Sequence, residues 1–373
     1  MTSGQVSARF EIARTMADAD WDLFLARCPG RHHEQSAGWA RVKHLQGWDS
    51  YRILVRSEGN LIGGTQVLCR RVRNFVTIGY VVYGPVATTD DLLGVVTRQV
   101  VEGLKIARFT YLVVLPGFNW VNVVSVLKES GFFPKPNVLP PSNLATATLL
   151  LDLTPDLDVL FSRMRRSTRK GIRKGLKAGL EVSLGGESDL DTAHALMCQQ
   201  CTRRGTTPEP PQAKDFHNIW REMAPTGAVK LFLARYRGEI VASILAFSFG
   251  DTLRAWKGGW SGRFDEYYPN HVICWEAIRW AKLAGLRCFD FVQVIPEHAK
   301  AVQRGETIDD SYWGVTHFKL GFGGDLVVIP DAYFRSSNSA AQLALRLGAA
   351  SVLGSPQVLR MVKRFSMTLG KDT

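Results

Sequence analysis

Between Arg163 and Lys177 the chain carries eight basic side chains, Arg163, Arg165, Arg166, Arg169, Lys170, Arg173, Lys174 and Lys177, and no acidic one. Like charges four residues apart on a helix repel by roughly 0.2–0.5 kcal/mol per pair, so a run of one sign has a cost that mixed signs avoid. Such a focus of cations suits a polyanion: nucleic acid, anionic lipid headgroups or a phosphorylated substrate. The plain alternative is a solvated helix face. Leu157, Phe161, Met164, Thr168, Ile172 and Leu176 recur at steps of three or four. One helix opened by Thr154 and Pro155 would bury that stripe and leave the cations outside. Within the run, Gly171, Gly175 and Gly179 fall at every fourth place, a spacing that composition alone does not explain.

Other residue groups carry two readings each. Gln35-Ser-Ala-Gly38-Trp-Ala40 fits the Q/R-x-x-G-x-G/A pattern of an acyl-CoA pyrophosphate loop. That loop follows a central strand and opens a helix, whereas this match precedes the first hairpin, which favours coincidence. His194, Cys198 and Cys201 share one helical face, but with no second ligand pair they read as packed side chains, and no metal is expected. Asp290, in the apolar stretch "CFDFVQV", reads as a hydrogen-bonded structural carboxylate rather than a proton acceptor. Trp256, Trp260, Tyr267 and Tyr268 suit a substrate groove or a core equally. Arg203 and Arg204, just before Gly205, are loop cations that either touch a phosphate or do not.

The elements that must position these groups follow from patterning. A chain of 373 residues, 46% hydrophobic and 21% charged, has ample core for two domains and is not of disordered type. The net charge of +12 falls to about +4 without the eight cations of the basic run, so the basicity is focused. The first residues, "MTSGQVSARFEI", lack the layout of a secretory leader. No apolar run reaches the roughly 20 residues that span a bilayer. Six scattered cysteines fit reduced thiols in a cytoplasm.

The chain also repeats itself. "LVRSEGNLIGGTQVL" from Leu54 and "LARYRGEIVASILAF" from Leu233 align at an offset of 179, which sets Arg56 on Arg235, Gly59 on Gly238 and Ile62 on Val241. Each predicts a hairpin closed at a glycine. A helical pattern and a strand follow each one: "LLGVVTRQVVEGLKIA" with "FTYLVVLP", and "HVICWEAIRWAKLAGL" with "CFDFVQV". The prolines of "GFFPKPNVLPPSN", four between Pro134 and Pro141, mark the joint. The expected boundaries are a first α/β domain over 1–145, a second over 146–335, and a helical extension over 336–373.

Four segments in order, "HHEQSAGWARVKHLQGW", "LDLTPDLDVLFSRMRRSTRKGIRKGLKAGLEV", "HVICWEAIRWAKLAGLRCFDF" and "GVTHFKLGFGGDLVV", resemble the FemABX family of peptidyltransferases over roughly residues 20 to 335. The resemblance implies an α/β fold of two tandem GNAT-like (N-acetyltransferase-like) domains with mixed central sheets. It implies transfer of an amino acid from aminoacyl-tRNA to an amine of a peptidoglycan precursor, either UDP-linked or lipid-linked. Lys43 then falls where the family's lysine meets the precursor's phosphates, with Trp39 one turn before it. Lys319 falls where the family's lysine lies near the reacting centre, cast here as stabilising the oxyanion or the tRNA terminal phosphate. Trp256 and Arg204 complete the expected substrate contacts, and Arg165, Arg166, Arg169, Lys170, Arg173 and Lys174 the polyanion contacts. The family's acidic residue before a proline is replaced by Leu115, its tyrosine in the Gly-rich strand by Trp256, and its arginine after "RRGTT" by Pro208 or Glu209.

The expected partners are aminoacyl-tRNA and a phosphate-bearing cell-wall precursor, with peripheral association with an anionic membrane as a further partner and no DNA. No cofactor is expected, and the expected location is the cytoplasm, extending to the inner face of the membrane. Two other functions use the same residues: an N-acyltransferase fed by acyl-CoA or acyl-carrier protein in cell-surface polysaccharide or antibiotic biosynthesis, and an RNA-binding protein without catalysis.

Overall fold

The computed structural model describes residues 7–14, 18–72, 76–118, 121–135, 146–306, 308, 313–338 and 342. The chain forms two compact units, Met1–Leu144 together with Ile329–Thr373, and Ala145–Val328. Both are α/β.

The first unit has strands β1 (Ala8–Ala13), β2 (Asp49–Ser57), β3 (Asn60–Val72), β4 (Val76–Val82), β5 (Val86–Ala87), β6 (Tyr111–Leu115) and β7 (Phe133–Pro134), with helices α1 (Asp18–Leu25), α2 (Ala37–His44), α3 (Leu93–Ile106) and α4 (Val121–Glu129). A late strand, Tyr333–Arg335, returns to this sheet between β6 and β7. The expected second-domain limit of 335 is therefore corrected: the chain leaves the second unit at Val328. Phe334 is buried against Val113, Leu115 and Ile329, and that burial holds the segment in the first unit. Residues 339–341 and 343–373 of the expected helical extension lie outside the described residues, as do 136–145 of the proline-rich joint.

The second unit has strands β8 (Ala147–Asp152), β9 (Glu181–Leu184), β10 (Val229–Tyr236), β11 (Glu239–Phe249), β12 (Thr252–Trp260), β13 (Cys288–Asp290) and β14 (Asp325–Val328). Its helices are α5 (Leu157–Arg163), α6 (Arg166–Lys177), α7 (Leu190–Arg203), α8 (Ala213–Met223), α9 (Pro269–Leu283), α10 (Pro296–Gln303) and α11 (Trp313–Leu320). The sheet order is β14-β8-β13-β12-β11-β10-β9, antiparallel except for the parallel pair β12 and β13.

The repeat read from the sequence is geometric. The β2–β3 turn at Glu58-Gly59 and the β10–β11 turn at Arg237-Gly238 both have two residues with positive φ, 50° and 83° in one and 52° and 82° in the other. That is the turn suited to the twist of a hairpin. Both hairpins also carry a register shift one residue before the arginine, Val55/Arg56 and Ala234/Arg235.

The basic run departs from the single helix expected. Met164 and Arg165 are extended, with ψ of 151° and 143°, which ends α5 and starts α6. Met164, Thr168, Gly171, Ile172 and Gly175 make the buried face, while Leu176, expected on the stripe, is 41% exposed. The glycine spacing now has a cause. A Cβ on Gly171 would meet the Tyr268 ring at 2.9 Å, and one on Gly175 the Tyr267 carbonyl at 2.4 Å and Val272 at 2.5 Å. Gly179 has φ +90° just past the helix end, the usual cap conformation. Two glycines thus let α6 approach the start of α9, and the third ends the helix.

Candidate active site

The two units differ where their parallel strands end. In the first, β4 and β6 stay paired from Ile78↔Tyr111 to Val82↔Leu115, the last residue of each. In the second, β12 and β13 pair over three rungs, Thr252↔Cys288 to Arg254↔Asp290, and β13 then stops. β12 continues to Trp260 alongside β11. Parallel strands that part at their carboxyl ends leave a crevice, the preferred ligand position in α/β sheets.

Lys319, on α11, reaches the segment that follows β13. Its Nζ donates to the carbonyls of Val292 at 3.1 Å and Gln293 at 2.7 Å. Those carbonyls are aimed by Asp290, whose Oδ1 accepts from Val292 N at 2.7 Å and from Thr148 Oγ1 at 2.5 Å. Asp290 Oδ2 also pairs with the buried Arg254 Nε at 3.2 Å. Val292 has φ +48°, a strained conformation for a β-branched residue that costs on the order of 1–3 kcal/mol. Asp290 is therefore the hydrogen-bonded structural carboxylate, and the strand expected through "FVQV" gives way to the turn that it fixes. Burial pushes the Lys319 ammonium down to about 8, against the upward pull of Asp290. The buried Cys274 thiol is pushed up to about 12 by burial, so it stays a neutral neighbour.

Arg204, exposed, follows the end of α7, where its N–H donates to the Gln200 and Cys201 carbonyls, and its charge adds to the lowering of the Lys319 ammonium. Arg203 beside it is spent on structure: Nη1 donates to the Ser261 carbonyl at 3.0 Å, Nη2 to the Trp260 carbonyl, and the guanidinium lies 5.0 Å from the Trp260 ring. Trp256 is half-buried against Phe216 and Phe247, with ring centroids at 6.2 and 5.2 Å. Lys257, missed in the sequence reading, places its Nζ 4.9 Å over the Trp256 ring. A lysine between tryptophan and two glycines in "RAWKGGW" was the available signal. His194 donates to or accepts from Cys198 Sγ at 3.6 Å and contacts the Pro210 carbonyl at 3.1 Å. Cys198 and Cys201 are free, half-buried thiols.

The basic run reaches the same α11. Arg165 N donates to the Gly321 carbonyl at 2.9 Å, and its Nη1 lies 2.7 Å from His317 Nε2. A Cβ on Gly321 would meet Thr168 Oγ1 at 2.4 Å, so the glycine of "KLGFGG" exists to admit α6. Arg169 donates to the Ser162 carbonyl and Arg173 lies 5.1 Å from the Phe161 ring. Lys174 lies 5.9 and 5.8 Å over Tyr267 and Tyr268. Arg166, Lys170 and Lys177 are exposed and make no hydrogen bond or ion pair among the described residues.

Lys43 and Trp39 lie in the first unit on α2. Lys43 Nζ donates to Gln46 Oε1 at 3.0 Å and lies 4.9 Å over the Trp39 ring, which is buried beneath it and edge-on to His33 at 5.3 Å. Gln35 is a structural hub: its Oε1 accepts from Gln66 N at 2.7 Å and its Nε2 donates to the Val82 carbonyl at 2.7 Å. Leu115 is buried in the core, leaving no charge at that strand end. His32, His33 and Glu34 bring ligand atoms within 4.8 Å of one another. The two rings lie 4.4 Å apart at 33° and His32 Nδ1 accepts from Glu34 N.

This is the architecture of the GNAT acetyltransferase class: residues 162–301 match the family described as an acetyltransferase (GNAT) domain. Over 90% of its length the chain has a fold similar to that of FemX, with a TM-score of 0.76 at 18% identity and 99% of that chain covered. It is also similar to the C-terminal domain of a protein named as a lysylphosphatidylglycerol synthetase of Agrobacterium fabrum, with a TM-score of 0.51 at 13% identity over 90% and 96% of the two chains. A tandem GNAT protein from the clavulanic acid biosynthesis pathway gives 0.50 at 9% identity over 89% and 99%. No curated protein sequence matches the chain. The expected α/β fold of two tandem GNAT-like units with mixed sheets is the observed one.

Proposed function

We propose that the chain is an acyltransferase that moves an amino acid from aminoacyl-tRNA to an amine of a phosphate-bearing cell-wall precursor. The observation that carries this reading is Lys319, held by the two carbonyls that follow the point where β13 parts from β12. Aminolysis of an aminoacyl ester needs an amine placed against the carbonyl and a cation or donor for the oxyanion that develops. Lys319, freed from its carbonyl partners or sharing its third proton, supplies that cation. Lys43 on the first unit, backed by the buried Trp39 ring, suits a phosphate of the acceptor, and Trp256 and Arg204 suit the rest of the substrate.

The donor side rests on α6. Arg166, Lys170, Lys174 and Lys177 follow one another at four, four and three residues, a row about 16 Å long at 1.5 Å per residue. A nucleic-acid strand carries one charge per about 3.4 Å of axis, so the row suits several phosphates rather than the two of a pyrophosphate. The acyl-CoA alternative is disfavoured locally. The segments that lead from β4 into α3 and from β12 into α9 hold no Q-x-x-G-x-G/A pattern, and carry Asp90-Asp91 and Asp265-Glu266 where a pyrophosphate would need open amides. Association with an anionic membrane face would use the same cations; among the described residues no helix is long and apolar enough to cross a membrane.

The test is the salt dependence of tRNA binding. Changing Arg166, Lys170 and Lys177 together to glutamine should weaken tRNA binding and reduce the log-log slope against salt by about 2, at 0.7–0.9 per phosphate. Retained binding with an unchanged slope would remove tRNA from α6.

A further inference from the structure

The end of α7 carries chemistry that the transfer reaction leaves unused. Cys198 and Cys201 stand three residues apart on this helix, both of them free, half-buried thiols. Residues at that spacing are neighbours on a helix surface, with Cβ atoms about 5–6 Å apart. One turn before Cys198, His194 sets its Nδ1 3.6 Å from Cys198 Sγ and its Nε2 3.1 Å from the Pro210 carbonyl oxygen. A carbonyl only accepts, so in the neutral ring Nε2 carries the proton and Nδ1 turns its lone pair on the thiol. The ring is buried and held edge-on to Phe216 at 5.2 Å. Nucleophile, base and orienting acceptor thus follow one another, the arrangement that activates a thiol. Burial, and then Cys201 beside it, raises the Cys198 thiol above its usual range, so a base is what it needs to react at neutral pH.

We infer that Cys198 and Cys201 are a redox-active dithiol that exchanges with low-molecular-weight disulfides, with His194 as its base. Cys198 gives its proton to His194 Nδ1 and its sulfur attacks one sulfur of the disulfide. A mixed disulfide forms on Cys198, the S–S bond of the reagent breaks, and the leaving thiolate takes the proton. Cys201 then attacks Cys198 Sγ, closing the intramolecular bond and expelling the second thiol. The dithiol loses two electrons and two protons, and the reagent disulfide becomes two thiols. Closure needs Cβ atoms about 3.5–4.5 Å apart, so the last turn must tighten by about 1 Å. The end of α7 already winds that way: Arg204 N and Gly205 N donate three residues back, to the Cys201 and Thr202 carbonyls at 3.0 and 3.2 Å, which is the 3-10 pattern. A disulfide closed under such strain is readily reduced again, which makes the exchange reversible.

The test uses oxidised glutathione on the whole protein, with alkylation and peptide mapping by mass spectrometry; no readout involves aminoacyl transfer. Wild type should form the Cys198–Cys201 disulfide, which reduced glutathione reopens. Cys201→Ser should stop at a glutathione adduct on Cys198, Cys198→Ser should form neither product, and Cys69→Ser, in the other unit, should behave as wild type. In the Cys201→Ser background, His194→Gln should slow adduct formation about 100-fold at pH 7, the usual share of a general base. That deficit should narrow as pH rises and the thiol ionises unaided, which a purely structural histidine would not show. Wild type that keeps both thiols free in excess oxidised glutathione, or that stops at the adduct, overturns the dithiol. An unchanged rate in the His194→Gln protein overturns the base.

Discussion

Lys319 shows how a single residue's surroundings fix its chemistry. With its ammonium pushed down to about 8, a lysine acting as a cation is lost as pH rises through that value, whereas a lysine acting as a base would gain. The cation role therefore predicts that transfer declines above about pH 8, and a rate that instead climbs through pH 8 would reverse the assignment. Asp290 acts through Val292 and not on substrate. Asp290→Ala removes one partner of a buried ion pair with Arg254 and should cost about 3–5 kcal/mol of stability, read as a lower denaturation midpoint. Sequence alone marked Asp290 as structural but gave no sign that its strand ends there. A positive φ at valine is set by tertiary hydrogen bonds, not by local preference. Lys257 escaped notice for a related reason, since an isolated lysine in a strand shows nothing of its burial.

At the level of elements, α6 inverts a general rule. Glycine to alanine inside a helix ordinarily gains about 1 kcal/mol, yet Gly175→Ala would drive a methyl group into the Tyr267 carbonyl and Val272. It should destabilise the protein by about 1–3 kcal/mol, seen as a fall in melting temperature; a rise would mean that α6 and α9 can move apart freely. The hairpins were legible to the residue because their turns are local, with glycine at the positive-φ place in each. The break at Met164 and Arg165 was not, because the apolar spacing runs through it without interruption. His271, packed against Phe318 and Tyr268 rings at 4.8 and 5.3 Å, is pushed down to about 4 by burial. Below its ordinary value of 6.5 the unfolded chain binds the extra proton first, so stability should fall as pH drops from about 6.5 to 4. His271→Phe should flatten that limb of a stability–pH curve, and an unaltered limb would assign the acid sensitivity elsewhere.

For the molecule taken as a whole, the two-unit α/β plan was legible because a repeated hairpin, helix and strand announce it. The return of Tyr333–Arg335 to the first sheet was not, since a three-residue strand has no period to read. What separates the units is the early end of β13 beside β12 in one and the full pairing of β4 with β6 in the other, a difference of register that no composition reveals. The central claim is that this crevice transfers an aminoacyl group with Lys319 as its cation. The most direct measurement follows labelled amino acid from a mixed aminoacyl-tRNA pool onto a UDP-linked muropeptide, with wild type and Lys319→Met side by side at pH 7. Wild type should transfer, and the variant, folded by circular dichroism, should be about 100- to 1000-fold slower, the usual loss for one oxyanion-stabilising group. Equal rates for the two proteins, or turnover of acetyl-CoA by a wild type that leaves charged tRNA untouched, would contradict the account.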